Sequence, residues 1–193
     1  MRLKLFIILS LIGFTNSKAL AAIEGGEDQS GLYLELSAGF APTANFKTKI
    51  EGSDTVEAAG AGAIGGLVFG NQTDYVHLLL GLKLGVLTGD DLVSDLSYSD
   101  FSLGLGWEWN IPLMTTFELV IASAGLDGND LSGGAGQRIT LSYFFGEHFK
   151  IYAAQSSLSF SVGDDEYDLS LTTFGVALPF SLDYPDKWWR KRY

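Results

Sequence analysis

The sequence predicts a transmembrane, antiparallel, up-and-down β-barrel of about eight strands. Three observations predict it. Apolar residues recur at every second position along most of the 193-residue chain, the period of a strand and not of a helix. The connections between these runs alternate long and short, as in barrels whose turns at one membrane face are short and whose loops at the other are longer. Finally, Phe69, Tyr75, Trp107, Trp109, Phe117, Phe145 and Phe180 gather at the run ends nearest the short connections, where rings form a membrane-interface girdle.

The runs follow in order. Leu32, Leu34, Leu36, Ala38 and Phe40 alternate with Tyr33, Glu35, Ser37 and Gly39, and a polar loop is expected from Pro42 to Glu57. Ala58 to Gly70 makes a second strand of small residues, with Ala59, Ala61, Ala63, Leu67 and Phe69 facing outward, closed by the turn signal Asn71-Gln72-Thr73-Asp74. The third strand puts Val76, Leu78, Leu80, Leu82, Leu84 and Val86 on one face and His77, Gly81, Lys83 and Gly85 on the other. An Asp-rich loop (Asp90, Asp91, Asp95) leads to Phe101, Leu103, Leu105, Trp107 and Trp109, set against Ser102, Gly104, Gly106 and Glu108.

A short turn at Asn110-Ile111-Pro112 precedes Phe117, Leu119 and Ile121, opposite Glu118, Val120 and Ala122. A long polar loop is expected from Leu126 to Gly136. Ile139, Leu141, Tyr143 and Phe145 then alternate with Arg138, Thr140, Ser142 and Phe144, and Gly146-Glu147-His148 turns short. Tyr152, Ala154, Leu158 and Phe160 oppose Gln155, Ser157 and Ser159, and Gly163-Asp164-Asp165-Glu166 loops to the closing strand. There Tyr167, Leu169 and Leu171 are out of phase with Phe174 to Phe180. Either a bulge near Thr172 or an upper part standing above the bilayer resolves that conflict.

Addressing and charge fit this architecture. Met1-Arg2-Leu3-Lys4, a short apolar run to Phe14 and Ala19-Leu20-Ala21 have the parts of a secretory signal peptide, cleaved after Ala21. The domains expected are signal peptide 1–21, periplasmic lead 22–30, barrel 31–182 and a basic aromatic tail 183–193. Cleavage removes Arg2, Lys4 and Lys18 and leaves 9 basic against 23 acidic residues, a net charge of −14. That balance argues against nucleic acid as a partner. Without cysteine there is no disulfide framework and no thiolate chemistry.

The closing strand carries a motif. Thr173-Phe174-Gly175-Val176-Ala177-Leu178-Pro179-Phe180 reads polar-x-Gly-x-x-apolar-x-aromatic and resembles the C-terminal β-signal of bacterial outer-membrane proteins. With the strand pattern, the mature chain resembles the small OmpA/OmpX-like outer-membrane barrels. The resemblance implies export to the outer membrane of a Gram-negative cell and assembly by the barrel-assembly machinery, which would read Thr173, Gly175, Leu178 and Phe180. It further implies a monomer among outer-membrane lipid and lipopolysaccharide. The chain departs from many relatives by continuing from Ser181 to Tyr193. Trp188, Trp189, Arg190, Lys191 and Arg192 in that tail suit an anionic lipid interface.

Candidate chemistry is sparse. Gly60-Ala61-Gly62-Ala63-Ile64-Gly65 matches the dinucleotide fingerprint GxGxxG but lacks the preceding strand and following helix that motif needs, so no cofactor is expected. Asp127-Gly128-Asn129-Asp130 and Asp164-Asp165-Glu166 with Asp168 offer oxygen ligands without a full calcium-loop spacing, so no metal site is assigned. The informative set is the inward-facing Glu35, His77, Lys83, Glu108, Glu118 and Arg138. In an eight-stranded barrel such side chains fill the lumen, and their charges must pair. The favoured reading is a salt-bridge plug without catalytic residues, in a structural or surface-interaction protein. A lipid-modifying enzyme using His77 with Glu118 is the alternative, and a narrow porin-like channel is a third.

Overall fold

The computed structural model describes residues 31–49, 56–73, 75–89, 96–109, 111–126, 129–145, 149–162 and 165–182. The expected signal peptide, lead, Asp-rich loop, turn at 146–148 and tail lie outside them. Eight strands follow one another: β1 (Gly31–Lys49), β2 (Val56–Thr73), β3 (Val76–Thr88), β4 (Leu96–Glu108), β5 (Leu113–Leu126), β6 (Asn129–Phe145), β7 (Phe149–Val162) and β8 (Asp165–Ser181). Each pairs antiparallel with its neighbour in sequence, and β1 pairs with β8, so the sheet closes as an up-and-down barrel.

Register fixes its shape. Register partners followed from Phe180 pass through Leu34, Phe69, Leu80, Leu103, Leu119, Gln137 and Ser157. They return to β8 at Ser170, ten residues from the start. That stagger over eight strands tilts them by about 40° to the barrel axis. Strands of 13 to 19 residues exceed the ~9–11 a bilayer requires, so the barrel extends past the membrane at one end.

The alternation expected for β3 and β4 is the observed one. Leu82, Leu84, Val86, Phe101, Leu105 and Trp107 are exposed on the outside, while His77, Lys83, Ser102 and Glu108 are buried within. The outer wall continues through Phe117, Leu119 and Ile121 on β5, Ile139 and Leu141 on β6, and Phe174, Val176 and Leu178 on β8. No water-soluble surface needs such a belt; a lipid-facing one does.

Several sequence expectations need correction. The loops expected over Pro42–Glu57 and Leu126–Gly136 are largely strand: β1 runs to Lys49, β2 begins at Val56, and only two residues separate β5 from β6. Their polar and small residues misled because strand faces above the lipid belt need no apolar outer side. Asn71 and Gln72 are buried strand residues and not turn. Asp165 and Glu166 likewise open β8 instead of looping toward it. The glycine motif at 60–65 lies inside β2 and leads into β3, with no helix.

The bulge expected near Thr172 is also absent. β8 holds one register with β7 throughout, and the extra residue sits in β1, between Phe40 and Thr43 on the β8 side. Pro42, which has no N–H to donate, lies in that bulge. A second irregularity, between Ala122 and Ala124 on β5, falls opposite Gly133 of β6, whose φ of 81° suits glycine. Leu169 and Leu171 conflict with Phe174–Phe180 only if the apolar side must face out. They face in. So do Leu158 and Phe160 of β7, while Gln155, Ser157 and Ser159 are outside.

Candidate functional site: a two-tier lumen

The lumen holds two kinds of filling. In the tier nearest the short turns ionic and hydrogen-bonding groups lie among the buried Val68, Leu79, Met114 and Phe144. The hydroxyl of Tyr33 meets His77 Nδ1 at 3.1 Å, and His77 Nε2 meets Glu108 Oε2 at 3.2 Å. With Nε2 donating to the carboxylate, Nδ1 is left to accept from the tyrosine. Gln72 Nε2 donates to the same Glu108 oxygen at 3.4 Å. One layer up, Lys150 pairs with Glu35 and lies 5.7 Å from the Phe144 ring centroid. A third layer is centred on Arg138. Its Nη2 binds Asp100, its Nη1 lies 3.6 Å from Glu118 Oε2, and its Nε donates to Ser156 at 2.9 Å. Ser102 donates to the other oxygen of Glu118 at 2.7 Å.

All six residues expected in the lumen are buried there. His77 goes with Glu108, Glu118 with Arg138, and Glu35 with Lys150, a residue the sequence reading omitted. Lys83 stands 5.9 Å from the Tyr152 ring centroid, beside Glu118 and Lys150 on the wall of a cavity of about 30 Å³. That space suits water. Asp100 was likewise missed. Strand parity finds both: Asp100 shares its phase with Ser102 and Glu108, and Lys150 with Tyr152 and Ala154. His77 and Glu118 belong to different layers with different partners, which leaves the acid–base pair of the enzymatic reading unassembled.

Above Arg138 the filling becomes apolar. Ala41, Ala44, Phe46, Ile64, Leu87, Leu96, Tyr98, Val120, Leu158, Phe160, Leu169 and Leu171 are among the residues of one buried cluster that occupies the upper barrel. Outside it are hydrogen-bonded polar residues. Gln155 Nε2 donates to Ser170 at 3.0 Å, Thr172 donates to Gln155 Oε1 at 2.6 Å, and Lys47 pairs with Glu57 at 2.5 Å. Of the calcium-loop candidates, Asp168 accepts from Ser159 at 2.5 Å. Among the described residues no group of three or more acidic, His or Cys side chains could hold a metal.

The other expected sets are placed as follows. Tyr75, Trp107, Trp109, Phe117 and Phe145 are exposed on the outer wall, with Phe69 half-buried on the same face. Phe145 stacks edgewise on Tyr143 at 4.9 Å and lies 6.0 Å from Phe149, which extends the ring. Trp109 Nε1 donates to Thr115 at 3.1 Å. In the closing strand, Leu178 and Phe180 face out while Thr173 is buried. A Cβ on Gly175 would come within 2.4 Å of the Ala38 carbonyl and 2.6 Å of the Tyr152 ring, so only glycine fits there. Pro179 lies two residues past the last β7–β8 pair, Lys150–Ala177, and leaves no bond unmade on that side.

No protein-family model and no curated protein matches the chain. Solved structures do. Ail, the attachment invasion locus protein of Yersinia pestis, in complex with the heparin analogue sucrose octasulfate, matches with a TM-score of 0.52 and 12% identity, over 78% of this chain and 99% of that one. This is the fold of the small OmpA/OmpX-like outer-membrane barrels. Neisserial surface protein A is similar at a TM-score of 0.49 and 16% identity, over 77% of this chain and 97% of its own. The outer-membrane protein OprG from Pseudomonas aeruginosa follows at 0.41 and 13%, over 78% and 96%. At these identities the likeness is one of fold. It accords with the lipid-facing belt and says nothing of lumen chemistry.

Proposed function

We propose that this protein is an integral outer-membrane barrel with a structural or surface-interaction role, exported by its signal peptide and closed to conduction by its own side chains. The observation that carries this reading is the two-tier lumen. An ion path would have to cross the Arg138–Asp100–Glu118 layer and then an apolar cluster in which Leu87, Leu169 and Leu171 have no more than 1% exposure. Pores that conduct keep a hydrated passage. Single-channel recording in planar bilayers tests the reading: no stepwise conductance is expected, and discrete open levels would overturn it.

The surface role falls to the outer rim, where Glu57, Glu166 and Asp168 are exposed and Lys47 is already paired. Such a rim does not favour a polyanion like the one bound to Ail in its solved complex. Lipopolysaccharide would meet it through divalent ions, and the barrel acts as a monomer. During biogenesis the barrel-assembly machinery reads the outward Leu178 and Phe180. Phe180→Ser should therefore lower the heat-modifiable barrel in membrane fractions more than deletion of residues 186–193 does, as semi-native electrophoresis would measure.

A further inference from the structure

The apolar outer wall is not the same height all round. On β3 it runs from Val76 to Val86, eleven residues, and includes Leu82, Leu84 and Val86 at 47%, 59% and 48% exposure. On β7, which faces β3 across the eight-stranded ring, it stops after Phe149, Ile151 and Ala153, and the next outward residues are Gln155, Ser157 and Ser159. The strand tilt allows heights to be compared. One residue along a strand climbs about 2.5 Å, and one step across the ladder climbs about 3 Å. On that scale Leu84 and Val86 stand within about 3 Å of the heights of Gln155 and Ser157. The β3 wall is then about 25 Å tall, the usual height of the lipid-facing band, and the β7 wall about 10 Å. The neighbours of β7 share the deficit: Gln137 on β6 and Thr172 on β8 follow Ile139 and Phe174 as the first polar outward residues.

Two features show that these polar groups are not stray residues in hydrocarbon. They form a continuous patch, and the patch is hydrogen-bonded across the β7–β8 ladder by the Gln155–Ser170 and Thr172–Gln155 bonds. The lower ends of the walls are level, with Trp109, Phe145, Phe149 and Phe180 all exposed near the short turns. A rigid tilt of the barrel would lift or sink that girdle on one side, so it does not reconcile the two walls. Bending of the bilayer does, at fractions of a kcal/mol per Å of mismatch.

We propose that the outer face of β7–β8 from Gln155 and Thr172 upward meets the polar headgroups of the outer leaflet, so that the bilayer is locally thinned on this side of the barrel. The inference rests on the membrane-barrel reading. The partner is the headgroup layer itself, whose hydroxyls, phosphates and water supply donors and acceptors to Ser157, Ser170 and Gln155.

The chain has no cysteine, so Leu84→Cys and Ser157→Cys each give a single labelling point. Each variant is labelled with a fluorophore, checked for heat-modifiability, and refolded into vesicles of lipid brominated along the acyl chain. The label at 84 should lose most of its emission to the bromines and be protected from aqueous iodide. The label at 157 should keep its emission in brominated lipid and lose it to iodide. Equal bromine quenching at both points would overturn the proposal, since the β7 wall would then be in hydrocarbon. Protection of the 157 label from both quenchers would overturn it in favour of a protein covering the patch. A label at 84 untouched by bromine would instead remove the membrane reading on which the proposal stands.

Discussion

On β7 and β8 the barrel is apolar outside below the level of Arg138 and polar outside above it, while the lumen changes in the opposite sense, from ion pairs to aliphatic side chains. β7 and β8 pass through both regions in a single mutual register. β8 makes the point most directly: Leu169 and Leu171 fill the upper lumen, while Phe174, Val176 and Leu178 coat the lower wall, with no bulge between them. What changes is the solvent. Where lipid surrounds the barrel, burial in the lumen gains apolar groups nothing, and the lumen can hold ions that pair with one another. Where water surrounds it, the lumen is the only place to hide a leucine. On the β7–β8 side the lower wall is built as a membrane protein's and the upper one as a water-soluble barrel's, continuous through one sheet.

Substitutions can break this contrast. The largest effect is expected in the lower lumen. Arg138→Met leaves Asp100 without its ion-pair partner and Glu118 with Lys83 alone, and should cost about 3–5 kcal/mol, read from denaturant titration of the barrel in vesicles. A stability unchanged by Arg138→Met would mean that the layer is not held by charge. In the upper lumen, Leu171→Ala removes a fully buried side chain and should cost about 2–5 kcal/mol by the same titration, as a soluble core would. An upper region indifferent to it would not be a packed core.

The outer wall gives the next two tests. Leu80→Arg, on the β3 wall, should cost about 2–4 kcal/mol if that wall lies near the bilayer midplane. Ser157→Arg, on the β7 wall, should stay within about 0.5 kcal/mol, as for a polar surface site. Refolding yields in vesicles measure both. Equal penalties would erase the distinction between the walls.

The contrast also explains what could be read in the sequence. Alternation reveals a strand but carries no sign: it separates two faces without saying which is inside. For β3 the sign was readable, because His77 and Lys83 oppose six aliphatics and lipid must take the aliphatics. For β7 the apolar set Leu158 and Phe160 belongs to the upper region, where the sign is reversed, and nothing local announces the switch. The expected loops over Pro42–Glu57 and Leu126–Gly136 failed for a related reason. A strand with small inward residues and polar or small outward ones, such as Ala44 with Asn45 or Gly134 with Gly133 and Ala135, has the composition of a loop. The lumen ions were found by parity on strands whose phase was secure. Asp100 and Lys150 escaped because they lie at the ends of the runs that were read, where the phase had not been extended. Which carboxylate meets which cation depends on the stagger around the ring, and that is set by turns and bulges more than by the charges.

The ring has a kinetic side as well. Seven of its ladders join strands consecutive in sequence, so their contacts are local and can form early. The eighth joins Tyr33 to Ser181 and Phe40 to Phe174, across nearly the whole described chain. Loop-closure entropy grows only logarithmically, by about 0.6 kcal/mol for each doubling of length, so this seam is affordable in equilibrium terms. In time it is the exception: a sheet of seven hairpins waits on a single encounter between its first and last strands. The rate-limiting step of spontaneous insertion is then expected at β1–β8, and a substitution on the β1 side of that seam such as Leu36→Ser should slow the slowest phase while the signals of hairpins from β3 to β8 keep their rates.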